Sequence, residues 1–239
     1  MTIQRWAVRI HKWLALIVGI QIILWIVGGF GMAVLDIEKV RGEHLVAPQA
    51  VSALDMAELI SPAEALAGSG AEQAHTVTLS SWMGQPVYHV EPLSGATLMV
   101  DARNGALLSP IDEETARRVA LADHIAEPEI VSVEFLVDPP REYGRPGPVW
   151  QVNFEDGEGT RTYVSPATGQ VVTHRNDRWR LFDFLWMLHI MDYEERDNFN
   201  HPLIISAAAL AMFTVFAGLV LLIIRMRRTV LMAMARRDR

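Results

Sequence analysis

Two long apolar runs dominate the pattern of this chain. Trp13 to Leu35 and Leu203 to Ile224 carry no charged residue. Each has about 22 residues, long enough for a helix to cross a hydrocarbon core of roughly 30 Å. Between them the pattern changes to short segments. Asp36 to His44 is charged and reads as a continuation of the first helix as far as Gly42. Ser61-Pro62-Ala63-Glu64 has the residues of a helix start, with serine at the cap, proline first and glutamate third. His75 to Leu79, Pro86 to Glu91 and Thr97 to Asp101 alternate as strands. Asn104-Gly105 supplies the positive φ angles of a turn. Asp112 to His124 has helical spacing with an acidic first turn, and Val131 to Val137 reads as a further strand.

The stretch after the second predicted helix repeats the stretch before it. Pro86-Val87-Tyr88-His89-Val90 matches Pro148-Val149-Trp150-Gln151-Val152, and Val100 to Ser109 aligns with Val164 to Thr173. The pattern predicts two small α+β units, about 61–111 and 112–175, each a few antiparallel strands with a helix on one face. Trp179 to Tyr193 follows, with Phe182, Leu185, Trp186 and His189 at spacings of three and four. It is too short and too charged to span, and reads as an amphipathic helix at the membrane interface. The expected fold class is an α+β membrane protein. Its order is a basic segment 1–12, span 13–35, soluble region 36–178, interfacial helix 179–193, span 203–224 and basic tail 225–239. His201 or Asn200 is expected to cap the second span, with Pro202 at its first position. Small residues in the first span (Gly19, Gly28, Gly29, Gly31) suit close packing against Ala207, Ala211 and Gly218 of the second.

Charge gives this arrangement a direction. The 239 residues carry a formal net charge of −7. Arg5, Arg9 and Lys12 precede the first run, and Arg225, Arg227, Arg228, Arg236, Arg237 and Arg239 follow the second; Asp238 is the one acidic residue in either tail. Basic flanks mark the cytoplasmic side, so both termini are expected in the cytoplasm and the acidic middle in the periplasm, across a bacterial inner membrane. The first run exceeds the apolar core of a signal peptide and no small-x-small cleavage site follows, which favours an uncleaved anchor. There are no cysteines, which excludes disulfides, thiolate metal sites and cysteine nucleophiles. An acidic middle argues against nucleic acid as a partner.

His11-Lys12-Trp13-Leu14 at the first span, the two hairpin units with Val100-Asp101-Ala102-Arg103-Asn104-Gly105, Leu188-His189 before the last span, and Ala217-Gly218-Leu219-Val220-Leu221 within it resemble the PepSY-associated transmembrane proteins. The resemblance covers most of the chain. It implies an inner-membrane protein with a periplasmic PepSY region, and some relatives are b-haem proteins that reduce ferric siderophores in iron uptake. Those relatives usually have four spans, and their glycine after Trp-Leu is Ala15 here.

A b-haem is held by histidine, or by histidine and methionine. His189 is the best single candidate ligand, with His44 or His201 as its partner and Met187 or Met191 as further possibilities. His11 lies at the opposite membrane edge: were residues 11 to 44 one helix, His11 and His44 would stand about 50 Å apart at 1.5 Å per residue. A haem on the side of His11 would need a second copy of the chain or another subunit. His75, His89, His124 and His174 are expected as solvated surface residues. No metal-spaced cluster, Gly-x-Ser-x-Gly turn or nicotinamide or flavin fingerprint occurs, so electrons would have to come from another subunit or a quinone. Two further readings stand beside electron transfer towards a periplasmic ferric chelate. One is a non-enzymatic module that binds a periplasmic protein through its PepSY units. The other is an accessory subunit of a larger membrane complex, or of a homodimer.

Overall fold

A computed structural model describes residues 3–48 and 54–237. The last two residues of each basic terminus and residues 49–53 lie outside it. The elements in chain order are α1 (Ile3–Val34), α2 (Ile37–Arg41), α3 (Pro62–Ser69), β1 (Ala74–Trp82), β2 (Gln85–Pro92), β3 (Leu98–Asp101), α4 (Glu113–Asp123), β4 (Glu129–Leu136), β5 (Val149–Glu155), β6 (Arg161–Val164), β7 (Val171–Arg175), α5 (Asp177–Ile190) and α6 (Pro202–Arg237). They form two compact units. One runs to Leu35 and resumes at Phe182; the other is Asp36–Leu181.

The first unit holds both long apolar helices. Their apolar windows are His11–Val34 and Pro202–Met234, of 24 and 33 residues. Both helices outrun the predicted spans, since no breaker follows Ile224 and Arg, Met, Leu and Ala are all good helix formers. Val18 on α1 and Ala211 and Thr214 on α6 are buried, while Ile17, Ile26, Phe30 and Phe213 stand well exposed. This apolar surface faces outward and suits lipid. The packing of the glycines differs from the expectation. A Cβ on Gly31 would lie 2.8 Å from Leu185 Cδ1, and one on Gly28 would lie 3.5 Å from Leu185 O. The neighbours of these glycines belong to α5, although α1 itself packs along α6; Gly19 and Gly218 have nothing within 4 Å. A side chain at Gly31 would require Leu185 to shift.

The loop 191–201 is tied to α5. Asp192 is buried and accepts backbone N–H bonds from Glu194, Glu195, Asp197 and Asn198. Trp186 Nε1 donates to Arg196 O at 3.0 Å, and its ring meets Phe199 edge-on. Arg196 pairs with Asp183. The charged residues that interrupt the apolar face of α5 thus fold the loop.

The predicted continuous exit helix fails at Asp36. Its side chain accepts from Glu38 N at 3.1 Å and starts α2 as a new helix. Gly42, at φ 75°, ends it.

In the second unit each half supplies a helix and an antiparallel sheet, ordered β1-β2-β3 and β4-β5-β6-β7. Helix α3 has the predicted capping box between Ser61 and Glu64. The repeat read from sequence recurs in hydrogen bonds. Gly105 N donates to Asp101 O and Asp101 N to Ala106 O; Gly169 N donates to Ser165 O and Ser165 N to Gln170 O. Both glycines have positive φ, 76° and 64°.

The halves share one core rather than folding apart. Val87 and Met99 of the first sheet and Val152, Phe154 and Val164 of the second bury against Ala116, Val119 and Ala120 of α4. The first sheet's other face packs Tyr88, Val90 and Val100 against Ala65 of α3. Two tryptophans clasp the halves: Trp82 Nε1 donates to Gly169 O at 2.8 Å and Trp150 Nε1 to Ile111 O at 3.1 Å. A Cβ on Gly169 would meet the Trp82 ring at 2.7 Å. Gly169→Ala therefore combines a strained φ with a ring clash and should cost about 2–4 kcal/mol. Gly157→Ala, with positive φ but open space, should cost about 1 kcal/mol. Thermal unfolding of the purified full chain would rank the two; equal losses would contradict the clasp.

Candidate functional site

The candidate ligands fall in different places. His189 lies in the last turn of α5, where the apolar spacing of that helix turns it toward the glycines of α1. A Cβ on Gly29 would lie 3.9 Å from His189 Cε1. His189 Nδ1 is buried and has no hydrogen-bond partner. His201 uses Nδ1 to accept from Leu203 N at 3.3 Å and so caps α6, with Pro202 first as predicted; its Nε2 stays available. His11 is partly exposed on α1, 18 residues before Gly29, or about 27 Å along the helix axis. His11 and His189 cannot share one iron. Met191 follows α5 at φ 56° and is buried. Met187 is on α5, half-buried.

His44 belongs to the other unit. Its Nε2 meets Glu158 Oε2 at 3.1 Å, and Glu158 also pairs with Arg178 at 2.8 Å.

Tested against a haem, this unit offers one candidate axial ligand with an unused donor atom: His189, whose Nδ1 is buried and without a partner, beside Gly29. For the other position the same unit offers Met191 and His201 Nε2. Methionine and histidine are both suitable donors.

The second unit carries a polar network that sequence reasoning missed. Four soluble histidines were expected at the surface; His124 and His174 are buried, 4% and 8% exposed. His174 Nε2 lies 2.9 Å from Asp123 Oδ2, and its Nδ1 meets Thr162 Oγ1 at 3.0 Å. His124 Nδ1 accepts from Ala126 N, and Nε2 faces Asp156 Oδ2 at 4.0 Å. His174 stands opposite Thr162 across the β6–β7 pair, on a strand where Thr162, Tyr163 and Val164 are all buried. The segment after α2 closes over this cluster: Ala47 N donates to Asp123 O and Ile125 N to Leu45 O. Among the described residues no group of three or more such side chains is placed to hold a metal ion.

The other face of the second sheet forms an open groove of about 570 Å³ lined by Ser132, Glu134, Gln151, Asn153, Arg161 and Arg180, among others. Its floor is a hydrogen-bonded ladder. Asn153 donates to Ser132, Gln151 to Asn153, and Tyr163 OH to Gln151 and to Glu142. Burial alone would raise Glu142, but bonds from Tyr163 and Arg161 hold its carboxyl below the usual value. Burial, helped by Glu142, pushes Tyr163 up.

Burial also lowers the His124 imidazole from its ordinary 6.5, against the pull of Asp156. A histidine kept neutral in the fold binds its proton more readily when unfolded. Its contribution is in place above pH 6.5 and is withdrawn as pH falls through 6.5 toward the lowered native value. Glu142 and Asp156 are lost lower, below their ordinary 4.5 and 3.8. Melting temperature should therefore fall between pH 7 and pH 5, before carboxylates protonate. His124→Phe should flatten that step, and an unchanged step would assign it elsewhere.

The comparisons with known proteins agree with the arrangement. No curated protein and no solved structure matches the chain. The family model described as the PepSY-associated TM region matches residues 8–239, from the start of the first apolar helix through both sheets to the end of the second. With two helices suited to a bilayer and two antiparallel sheets carrying helices, the chain is an α+β membrane protein and belongs to the PepSY-associated transmembrane family.

Proposed function

We propose that this protein is a haem-b-dependent electron-transfer protein of the inner membrane, with both termini cytoplasmic and residues 36–178 periplasmic. Its acceptor is a periplasmic ferric chelate, such as a ferric siderophore, in iron uptake. The observation that carries the reading is His189: a half-buried imidazole whose Nδ1 is buried without a partner, beside Gly29 in the apolar unit. Histidines inside membrane bundles are costly and mark function. The orientation rests on the basic residues that flank the two uncharged runs, Arg5, Arg9 and Lys12 before Trp13 and Arg225, Arg227 and Arg228 after Ile224.

The chain's own residues would do three things. His189 would hold the haem iron, with Met191 or His201 as candidate second ligand. Leu185 packs against Gly28 and Gly31 one turn before His189 and would hold that stretch of α5 against α1. The Asp183–Arg196 pair and the Asp192 turn hold the loop between the candidate ligands. Haem bound there would supply a one-electron couple, poised by its axial donors and by the apolar surroundings. His11 and His44 are secondary candidates; His11 would serve a separate site completed by a second copy or another subunit.

The open groove on the second sheet favours one alternative: a non-enzymatic module in which that groove receives a periplasmic protein. The outward apolar faces of α1 and α6 leave room for a homodimer or a larger membrane complex in either reading.

An absorption spectrum of the detergent-purified protein, made in cells with ample haem precursor, tests the proposal. It should show a Soret band that is lost in His189→Ala while circular dichroism is retained. A wild-type preparation without the band, or a band that survives His189→Ala, would eliminate it.

A further inference from the structure

Two polar groups on α1 lie in the apolar unit without a partner among the described residues. Gln21 Nε2 and Trp25 Nε1 are buried and have no hydrogen-bond partner. They sit one turn apart on α1, on the same face as Val18. They line a cleft of about 310 Å³ with Ile17, Val18, Ala207, Leu210 and Met191. Amide and indole N–H groups in hydrocarbon need an acceptor, and acyl chains have none. An indole can only donate; an amide can donate from nitrogen or accept at oxygen.

The cleft defines its occupant. It lies at the low end of the roughly 300–1,000 Å³ of small-molecule sites, so it takes a ring rather than a whole lipid. Ile17 and Ile20 on its rim are exposed, which opens it sideways to the acyl phase. Gln21 is 10 residues from His11 and 13 from Val34, the ends of the apolar window. That places it about 15–20 Å from either end, near the midplane of a roughly 30 Å core. Phospholipid ester carbonyls lie at the membrane interfaces and do not reach that depth. We propose that the Gln21–Trp25 cleft binds the head ring of an isoprenoid quinone, its tail left in the lipid. One ring carbonyl accepts from Trp25 and the other meets Gln21. Because Gln21 accepts as well as donates, it also suits the hydroxyl of the reduced ring. The site gives the proposed electron-transfer reading a source of reducing equivalents, and it rests on that reading for its purpose only.

Decylubiquinone titrated into the detergent-purified full chain, followed calorimetrically, tests binding directly. Saturable binding is expected, weakened about three- to tenfold in Gln21→Leu and in Trp25→Phe, the worth of one hydrogen bond each. Ala211→Leu fills the cleft without touching either donor and should abolish binding while keeping the wild-type circular dichroism. His189→Ala should bind the quinone as the wild type does, so a failure of the haem reading registers separately. Absence of saturable binding would overturn the site. So would unchanged affinity in Gln21→Leu and Trp25→Phe, or full binding by a folded Ala211→Leu. A dimer that Gln21→Leu converts to monomer, with quinone affinity unaltered, would assign the donors to a second copy of the chain and equally overturn it.

Discussion

Lipid is the one solvent that suits both long helices at once. In water their outward isoleucines, leucines and phenylalanines would expose far more apolar surface than a soluble chain tolerates. In hydrocarbon the same surface carries no penalty, and the helical backbone meets its own hydrogen bonds. What remains costly in lipid is any polar side chain without a partner. Among the described residues of the membrane unit, three such groups lie against the long helices: His189 near Gly29, and Gln21 with Trp25 beside the apolar cleft.

The glycines of α1 serve α5 rather than α6. A short helix with charges on its flanks has no long apolar run with which to hold itself in place. It gains its seat from Leu185, whose carbonyl meets Gly28 and whose side chain meets Gly31, and from a loop that Asp192 and the Asp183–Arg196 pair fold back on it. Those contacts fix the position of His189. In the other unit the halves are bound by a shared helix, α4, and by the two tryptophan clasps. The duplicated hairpins bury their inner faces on each other, so neither half has a complete core alone.

Much of this was legible from residues. The two spans, the Ser61 capping box, the helix over 112–124 and the register of the repeat follow from apolar run length, cap chemistry and the Asn-Gly and Thr-Gly turns. Three features were not. Asp36 reads as one more charge in an exit helix, and only its own side-chain bond to Glu38 reveals a new start. The partner of the small residues in α1 depends on tertiary packing, which spacing alone leaves open. His124 and His174 read as hairpin histidines, yet the strand beside them, with threonines at 160 and 162, turns that edge inward. The candidate site was legible in part. Leu188-His189 stood out on its helix, whereas nothing in an apolar run marks Gln21 and Trp25, since a missing partner is visible only in the packed structure.

Orientation is the claim on which the functional proposals depend, and site-specific labelling tests it most directly. The natural chain has no cysteine, so a single introduced thiol reports one position. With a membrane-impermeant maleimide on intact spheroplasts, Asn104→Cys should label at once and Met232→Cys only after permeabilisation. Labelling of Met232→Cys from outside with Asn104→Cys protected, or equal labelling of both before lysis, would contradict the proposed arrangement.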